Sequence, residues 1–275
     1  MHHVVRTFSK SSHFNYDKQG KDWNVKVGTE QSPISLEKEK AVWSVAPRLK
    51  FINYNKTLSG PLKLTNNGHT VTMVIPPVDD GNHPSVCGCK LDCIYKAVQL
   101  HFHWGSPKSK GSEHMINSSR YDAELHILHQ NYAYALQNNA ISSPDGFVAL
   151  AIMLRSVPEC PNETPGILDK LFVELNRVRD YNTTSTYEGP FCLRDILNGM
   201  ERKEFFAYRG SLTTPPCTET VNWFVFPNPV DVSEKSLKNF WLLKDDRGLP
   251  LLNNYREIQS LHQRTVYYRN ETANF

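Results

Sequence analysis

The chain has 275 residues, of which 39% are hydrophobic, 21% charged and 11% aromatic, and this composition excludes a collagen-like, coiled-coil or mostly disordered chain. The chain has 31 lysines and arginines and 28 aspartates and glutamates, which gives a formal net charge of only +3. The basic residues are scattered along the sequence, so a nucleic-acid-binding surface is not expected. The longest apolar run, residues 147–154, is far shorter than the roughly 18 residues that a membrane-spanning helix needs.

Strand signals dominate the chain. Segments rich in β-branched or aromatic residues predict strands at 48–54, 62–66, 69–75, 95–104, 123–131, 147–154, 205–210, 220–226 and 265–269. Helical periodicity is restricted to 167–178 and to 233–242, where Ser233 is the expected N-cap. Because helices do not alternate with strands, the predicted fold class is mainly β (α+β): a large, twisted, mostly antiparallel mixed sheet with short peripheral helices. No linker or repeat divides the sequence, so a single domain is expected over residues 1–275.

The first segment that carries chemistry is the predicted strand over 98–104. Its alternation places four apolar side chains on one face and Gln99, His101 and His103 on the other. Residues two apart on one strand face are about 6 to 7 Å apart, close enough for two imidazoles to bind one ion. The pair therefore predicts two ligands of a metal site, and a solvent-facing pair of histidines is the alternative for this tripeptide alone.

A second histidine-bearing strand follows at 123–131. Glu124 and His126 share one face of it, so His126 is the expected third ligand. Three neutral imidazoles and a solvent molecule form the tetrahedral zinc site of an enzyme, with one open position. Each ligating imidazole also needs an acceptor for its second N–H, and Gln99 and Glu124 each lie two residues before a ligand on the same face.

Six motifs occur in an order that identifies a known family. They are QSPI (31–34), NNGH (66–69), HFHWG (101–105), GSEH (111–114), AELHILH (123–129) and GSLTTPP (210–216). Between about residues 13 and 268 they resemble the motifs of α-class carbonic anhydrases of a secreted, animal-like type. The resemblance implies the α-carbonic anhydrase fold, a Zn²⁺ cofactor, and reversible hydration of carbon dioxide to bicarbonate and a proton by zinc-bound hydroxide.

Two other functional classes stay open at this point. One is a catalytically silent carbonic anhydrase-like module that binds a partner or a matrix, although loss of a zinc histidine usually marks such modules and all three are present. The other is a zinc hydrolase of esters or peptides, but the sequence lacks the H-E-x-x-H helix that is common in such proteases.

The resemblance also assigns roles to individual residues. His101, His103 and His126 would bind zinc, with Gln99 and Glu124 as their outer hydrogen-bond partners. Thr213 would accept a hydrogen bond from zinc-bound hydroxide and donate its own to Glu113, a polarity that follows because a carboxylate only accepts. His69 would shuttle the proton to solvent, a task suited to a side chain that titrates near neutral pH.

The resemblance further predicts a pocket with two unlike walls. A hydrophilic wall along which water is ordered would be formed by Tyr16, Asn67, His69 and Thr214. An apolar wall for the substrate would be formed by Leu128, Ala149, Leu212, Val221 and Trp223. Ala149 stands where the family usually has a larger aliphatic residue, so a roomier pocket is expected.

The cysteines depart from the family pattern. Exported members usually bridge the cysteine equivalent to Cys217 to one shortly before QSPI, and this chain has none there. An extra segment, residues 76–93, instead carries Cys87, Cys89 and Cys93. Disulfide bonds that involve these residues, Cys160, Cys192 or a second chain are expected, with a second metal site on C-x-C-x3-C as the alternative.

Location and partners are inferred from the same features. The cysteine count and N-x-[ST] sequons at Asn55, Asn117, Asn162, Asn182 and Asn270 favour a secreted glycoprotein whose leader is absent from the first twenty residues; a cytoplasmic location is the alternative. Expected partners are carbon dioxide and bicarbonate, sulfonamide or anion inhibitors at zinc, and an oligomer linked through cysteines; no nucleic acid and no membrane span are expected. Structural or surface positions are expected for the remaining histidines considered, His83, His114, His129 and His262.

Overall fold

The computed structural model describes residues 14–158 and 166–270. Its strands are β1 (Ser35–Leu36), β2 (Val42–Trp43), β3 (Leu49–Ile52), β4 (Leu62–Asn66), β5 (Val71–Val74), β6 (Ser85–Gly88), β7 (Leu91–Trp104), β8 (Met115–Ile116), β9 (Ala123–Asn131), β10 (Phe147–Val157), β11 (Thr184–Tyr187), β12 (Phe205–Gly210), β13 (Val221–Ser233) and β14 (Tyr267–Arg269). Its helices are α1 (Gln137–Ile141), α2 (Ile167–Val173), α3 (Leu193–Ile196) and α4 (Glu234–Leu237), with 3₁₀ turns at Lys38–Lys40, Glu174–Arg177 and Lys238–Leu242.

A 12-stranded sheet organises the molecule. Its main path is β11-β4-β5-β7-β9-β10-β13-β12-β14-β2, and β6 pairs with both β3 and β7 beside that path. The β10–β13 and β14–β2 pairs are parallel, and the other pairs of this sheet are antiparallel. The predicted fold class, a mostly antiparallel mixed sheet with short peripheral helices, is confirmed.

The predicted elements differ from the observed ones mainly at their ends. Strands β4, β9 and β12 begin and end as predicted, whereas β10 and β13 extend beyond the predicted bounds because they pair with each other in parallel as far as Val157 and Ser233. The predicted 167–178 helix is an α-helix only to Val173 and then tightens into a 3₁₀ turn. Ser233 is the N-cap of α4, as predicted, and its side chain accepts a hydrogen bond from the backbone N–H of Ser236.

The centre of the sheet positions the histidines. Strand β7 buries its apolar face, where Phe102 packs edge-on against Phe172 of α2 and against Phe240 of the last 3₁₀ turn. The opposite face therefore presents the histidines, as the alternation predicts. Val98 was expected on the apolar face but packs with the cluster on the histidine side, because the β7 register shifts between Ala97 and Gln99. In the antiparallel register of β7 and β9, His101 lies directly opposite His126.

In the described part of the chain, no helix is long and apolar enough to cross a membrane.

Candidate metal centre

Three imidazoles from two adjacent strands converge on one point. Candidate ligand nitrogens of His101, His103 and His126 all lie within 4.8 Å of one another. Nε2 of His101 and Nδ1 of His126 lie 3.2 Å apart. Two nitrogens bound to one tetrahedral zinc at 2.0 to 2.1 Å would lie about 3.3 to 3.4 Å apart, so this spacing fits two ligands of a single ion.

The hydrogen bond of His103 fixes which of its nitrogens can bind a metal. Nδ1 of His103 lies 2.7 Å from the backbone oxygen of Asn254, and because a carbonyl only accepts, Nδ1 carries the proton. Nε2 is then left with a lone pair, and this buried atom has no hydrogen-bond partner among the described residues. A buried, unpartnered nitrogen is rare in proteins and is accounted for when a metal ion binds it.

Glu124 fixes His126 in the same way. Its Oε1 accepts from Nε2 of His126 at 2.7 Å, which leaves Nδ1 of His126 to face the shared point. The same oxygen lies 2.6 Å from Nδ1 of His114, and Oε2 accepts from the backbone N–H of His114 at 2.8 Å. Burial raises the pKa of the Glu124 carboxyl, but the two imidazoles outweigh burial and hold the pKa well below its usual range.

Burial also sets the charge of the other two ligands. It lowers the pKa of His101 well below the usual value, and the neighbouring His126 and His103 lower it further. Burial lowers the pKa of His103 as well, although Glu113 opposes the shift. Both imidazoles are therefore neutral at pH 7, which is the form of histidine that binds metals.

His114 lies beside the three histidines but has no nitrogen to spare. Nδ1 is held by Glu124, and Nε2 lies 2.7 Å from the hydroxyl of Tyr208, which in turn donates to Oγ of Ser32 at 2.9 Å. All of these side chains are buried. His114 therefore supports Glu124 from behind, in agreement with the structural position expected for it.

The hydrogen bond expected between Thr213 and Glu113 is not formed in this structure. Oε1 of Glu113 accepts from the backbone N–H of Arg256 at 2.8 Å, whereas Oε2 has no partner within the described residues. Oε2 instead lies 3.5 Å from Nε2 of His103, and Thr213 is buried. The role of Thr213 stays a prediction, and a free acceptor on Glu113 is present for it.

The expected contact between Gln99 and His101 is also not seen. Nδ1 of His101 is buried and has no hydrogen-bond partner in the described part of the chain. Gln99 and His101 lie in regular register with β5 and β9 and so share one strand face, as predicted, although no hydrogen bond joins them. The role of Gln99 therefore stays a prediction.

Comparison with known proteins places this arrangement in a family. The family of eukaryotic-type carbonic anhydrases matches residues 16–270. Human carbonic anhydrase 12 is 34% identical over 94% of this chain and 73% of that protein. Human carbonic anhydrase 7 is 33% identical over 87% of this chain and 88% of that protein. Carbonic anhydrase 6 of the dog is 36% identical over 87% of this chain and 72% of that protein.

The chain belongs to the eukaryotic-type carbonic anhydrases. This family consists of zinc enzymes that hydrate carbon dioxide and are inhibited by sulfonamides, so carbonic anhydrase activity follows for this chain. The recognition made from six sequence motifs is thereby confirmed.

The five apolar residues predicted to line the pocket of this carbonic anhydrase come together in the structure. Ala149 of β10 pairs with Leu128 of β9 on one side and with Trp223 of β13 on the other. Val221 belongs to the same buried cluster, and the half-buried Leu212 packs against it. The Trp223 ring contacts the His126 ring edge-on, with centroids 4.8 Å apart, so this cluster adjoins the histidines.

The residues predicted for the hydrophilic side occupy three different environments. Oδ1 of Asn67 accepts from the backbone N–H groups of His69 and Thr70, so this side chain shapes the turn before β5. Tyr16 is buried, and its hydroxyl has no partner among the described residues. The half-buried Thr214 accepts from the backbone N–H of Cys217 through its carbonyl.

The His69 side chain is covered by a residue that the sequence did not single out. Phe14 stacks on the imidazole with ring centroids 3.9 Å apart and planes inclined by 11°. The imidazole is half-buried at this contact. Phe14 therefore fixes one orientation of the predicted proton shuttle.

The cysteines of the carbonic anhydrase give no support to the expected bridges. Cys87, Cys89, Cys93, Cys192 and Cys217 are free thiols, and Cys160, like the Asn162 sequon, lies outside the described residues. Within the described ranges, the groups able to hold a metal contain only histidines and Glu124, so the C-x-C-x3-C segment does not form a second metal site there.

Proposed function

We propose that this carbonic anhydrase interconverts carbon dioxide and bicarbonate at a Zn²⁺ ion held by His101, His103 and His126. The convergence of three imidazoles on one point, with the pKa values of His101 and His103 lowered by burial, carries the proposal. When bound, zinc supplies a Lewis acid that lowers the pKa of a coordinated water to about 7, the value known for carbonic anhydrases. A donor set of three histidines without thiolate is that of an open, catalytic site.

The outer hydrogen bonds prepare the ligands before any metal arrives. The carbonyl of Asn254 and the carboxylate of Glu124 each accept an N–H from one imidazole, which leaves the lone pair of its second nitrogen facing the shared point. Such partners raise the basicity of the ligand and fix its tautomer. The two strands and these two acceptors together therefore preorganise the donor set.

Glu113 and Thr213 would orient the reacting water. The free Oε2 of Glu113 can only accept a hydrogen bond, and a threonine hydroxyl that donates to it has a lone pair left to accept one. A water molecule in the site would then donate to Thr213 and direct its own lone pair towards the substrate. Oε2 lies 3.5 Å from Nε2 of His103, so this free acceptor adjoins the metal centre.

The substrate would be held against the apolar wall. Carbon dioxide has no net dipole and is poorly solvated, so buried aliphatic and aromatic side chains such as Leu128, Val221 and Trp223 suit it. Bicarbonate is charged and leaves this surface for water. Ala149 removes volume from the wall, and the pocket would accept slightly larger carbonyl substrates as well.

The proton would leave through His69. An imidazole titrates near neutral pH and can accept and release a proton at each turnover. Tyr16, Asn67 and Thr214 would supply polar groups along the water path to it. The stacking of Phe14 on His69 supports this role because it holds the imidazole at a defined position.

Stopped-flow measurement of carbon dioxide hydration, together with zinc analysis, tests the proposal. The variant His126→Ala should lose zinc and activity, whereas the matched variant His262→Ala, which changes an exposed histidine, should keep both. A wild-type protein that binds one zinc and fails to hydrate carbon dioxide would instead establish the catalytically silent binding module.

An extracellular site of action is the second part of the proposal. The sequons at Asn55, Asn117 and Asn182 are exposed, as glycosylation requires. Protein secreted from eukaryotic cells should therefore lose mass after treatment with peptide N-glycosidase F. Unchanged mass at all sequons would argue against the secretory route.

A further inference from the structure

A second cavity lies on the other side of the sheet from the histidines. Its volume is about 330 Å³, and its lining includes Ala207 and Arg209 of β12 and Phe224 of β13. Side chains alternate along a strand, and Trp223, next to Phe224, points to His126 on the opposite face. The cavity therefore lies along β12 and β13, on the face opposite to the Trp223 ring, whereas β7 and β9 carry the histidines; Tyr208 and Trp223, which contact His114 and His126, also border it.

The turn at the tip of the β6–β7 hairpin closes one side of this cavity. Cys89 and Lys90 form the turn, and both line the cavity. Their φ angles are 49° and 64°, a left-handed conformation that residues other than glycine and asparagine rarely adopt. The turn belongs to the 76–93 segment, which the sequence sets apart from the family pattern.

Positive charge prevails in the lining. Lys90, Arg209 and Arg264 line the cavity, and Glu30 is the one carboxylate among the described lining residues. Glu30 lies 3.8 Å from Arg209, a long ion pair. The Arg264 guanidinium donates to three backbone carbonyls, which fix its position without neutralising its charge, and the Lys90 ammonium lies over the Tyr267 ring.

The remaining surface of the cavity is apolar. Tyr267, which is 40% exposed, supplies aromatic surface, and the small side chain of Ala207 leaves room above the buried Phe205 and Phe224. A volume near the lower end of the 300 to 1,000 Å³ typical of ligand pockets suits a molecule of one or two rings. The combination of aromatic surface with cations that outnumber the single carboxylate favours a planar anion.

We infer that this cavity binds a small organic carboxylate with a planar apolar body, at a site separate from the metal centre. Lys90 and Arg209 supply the charge that attracts the carboxylate, and the aromatic residues contact the ring. The inference does not depend on the proposed function, because the same contacts exist whether or not zinc is bound.

Isothermal titration of the zinc-loaded full chain with 2-naphthoate tests the inference. A saturating sulfonamide inhibitor is present, so that the probe cannot bind at the histidines. Neutral 2-naphthamide, which has the same ring, is the matched ligand control. Naphthoate should bind about tenfold more tightly than naphthamide, since only the carboxylate gains from the cations.

Charge-removing variants locate the site. Lys90→Gln and Arg209→Gln should each weaken naphthoate binding about three- to tenfold and leave naphthamide binding and carbon dioxide hydration unchanged. Lys63→Gln, at an exposed lysine of β4 outside the cavity, should leave naphthoate affinity unchanged. Absence of naphthoate binding, equal affinity for the amide, or wild-type affinity in the Lys90→Gln/Arg209→Gln double variant would overturn the inference.

Discussion

The substitution Glu124→Gln would test how the metal centre is preorganised. Glu124 is fully buried and accepts three hydrogen bonds, one from Nε2 of His126, one from Nδ1 of His114 and one from the backbone N–H of His114. Glutamine has nearly the same shape, but its NH₂ group replaces one acceptor oxygen. At least one buried donor then faces another donor, and His126 has to rotate or change tautomer.

Two magnitudes follow from these contacts. Loss of an outer partner of a metal-bound histidine typically lowers metal affinity about 10- to 100-fold, and we expect zinc affinity to fall within that range. Removal of one partner of a buried charged network costs about 3 to 5 kcal/mol, so the free energy of unfolding should fall by a similar amount.

Competition with a chelator would measure the zinc affinity, and urea unfolding would measure stability. Gln99→Ala is the matched control, because Nδ1 of His101 has no hydrogen-bond partner among the described residues and Gln99 therefore contributes little in this structure. We expect an affinity change below about threefold for this variant. Wild-type zinc affinity in Glu124→Gln, or an equal loss in Gln99→Ala, would refute the reasoning.

Three further predictions concern other parts of the molecule. His69→Ala should keep its zinc and lose about 10- to 100-fold in turnover at low buffer concentration, with recovery on addition of imidazole; turnover indifferent to imidazole would show that another group exports the proton. Burial lowers the pKa of His129 to about 3, so the unfolding free energy should fall by about 3 kcal/mol between pH 6.5 and 4, as the unfolded state gains a proton that the folded state resists. The variant Tyr54→Phe/His129→Leu, which removes this buried pair together, should show a flatter urea-unfolding profile over that pH range, and an unchanged profile would contradict the assignment. Burial raises the pKa of Cys217 to about 11, so iodoacetamide at pH 8 should label it far more slowly in the folded than in the urea-unfolded protein; equal rates by mass spectrometry would show that the thiol is accessible.

Local periodicity was sufficient to predict the strands that carry the ligands. From Leu100 to Trp104 the apolar residues fall on one face, and the structure buries that face, with Phe102 against α2. The same reasoning placed Glu124 and His126 together, and the structure joins them by a hydrogen bond. Such features depend on a few consecutive residues and on the two-residue repeat of a strand.

Contacts between distant segments could not be predicted in this way. Asn254 lies outside the strands and helices, 151 residues from His103, and nothing in its neighbourhood indicates that its carbonyl orients a ligand. The stacking of Phe14 on His69 likewise depends on the path of the N-terminal segment. The bulge between Ala97 and Gln99 turns Val98 away from the face that strict alternation assigns to it, and no local signal reveals this bulge.

X-ray absorption spectroscopy at the zinc edge would identify the ligands of the proposed zinc site. For protein that was never exposed to chelator, we predict one zinc per chain with three imidazole nitrogens and one further light atom at about 2.0 to 2.1 Å. Sulfur ligands at about 2.3 Å, which only cysteines such as Cys87, Cys89 and Cys93 could supply in number, or protein without zinc, would contradict it.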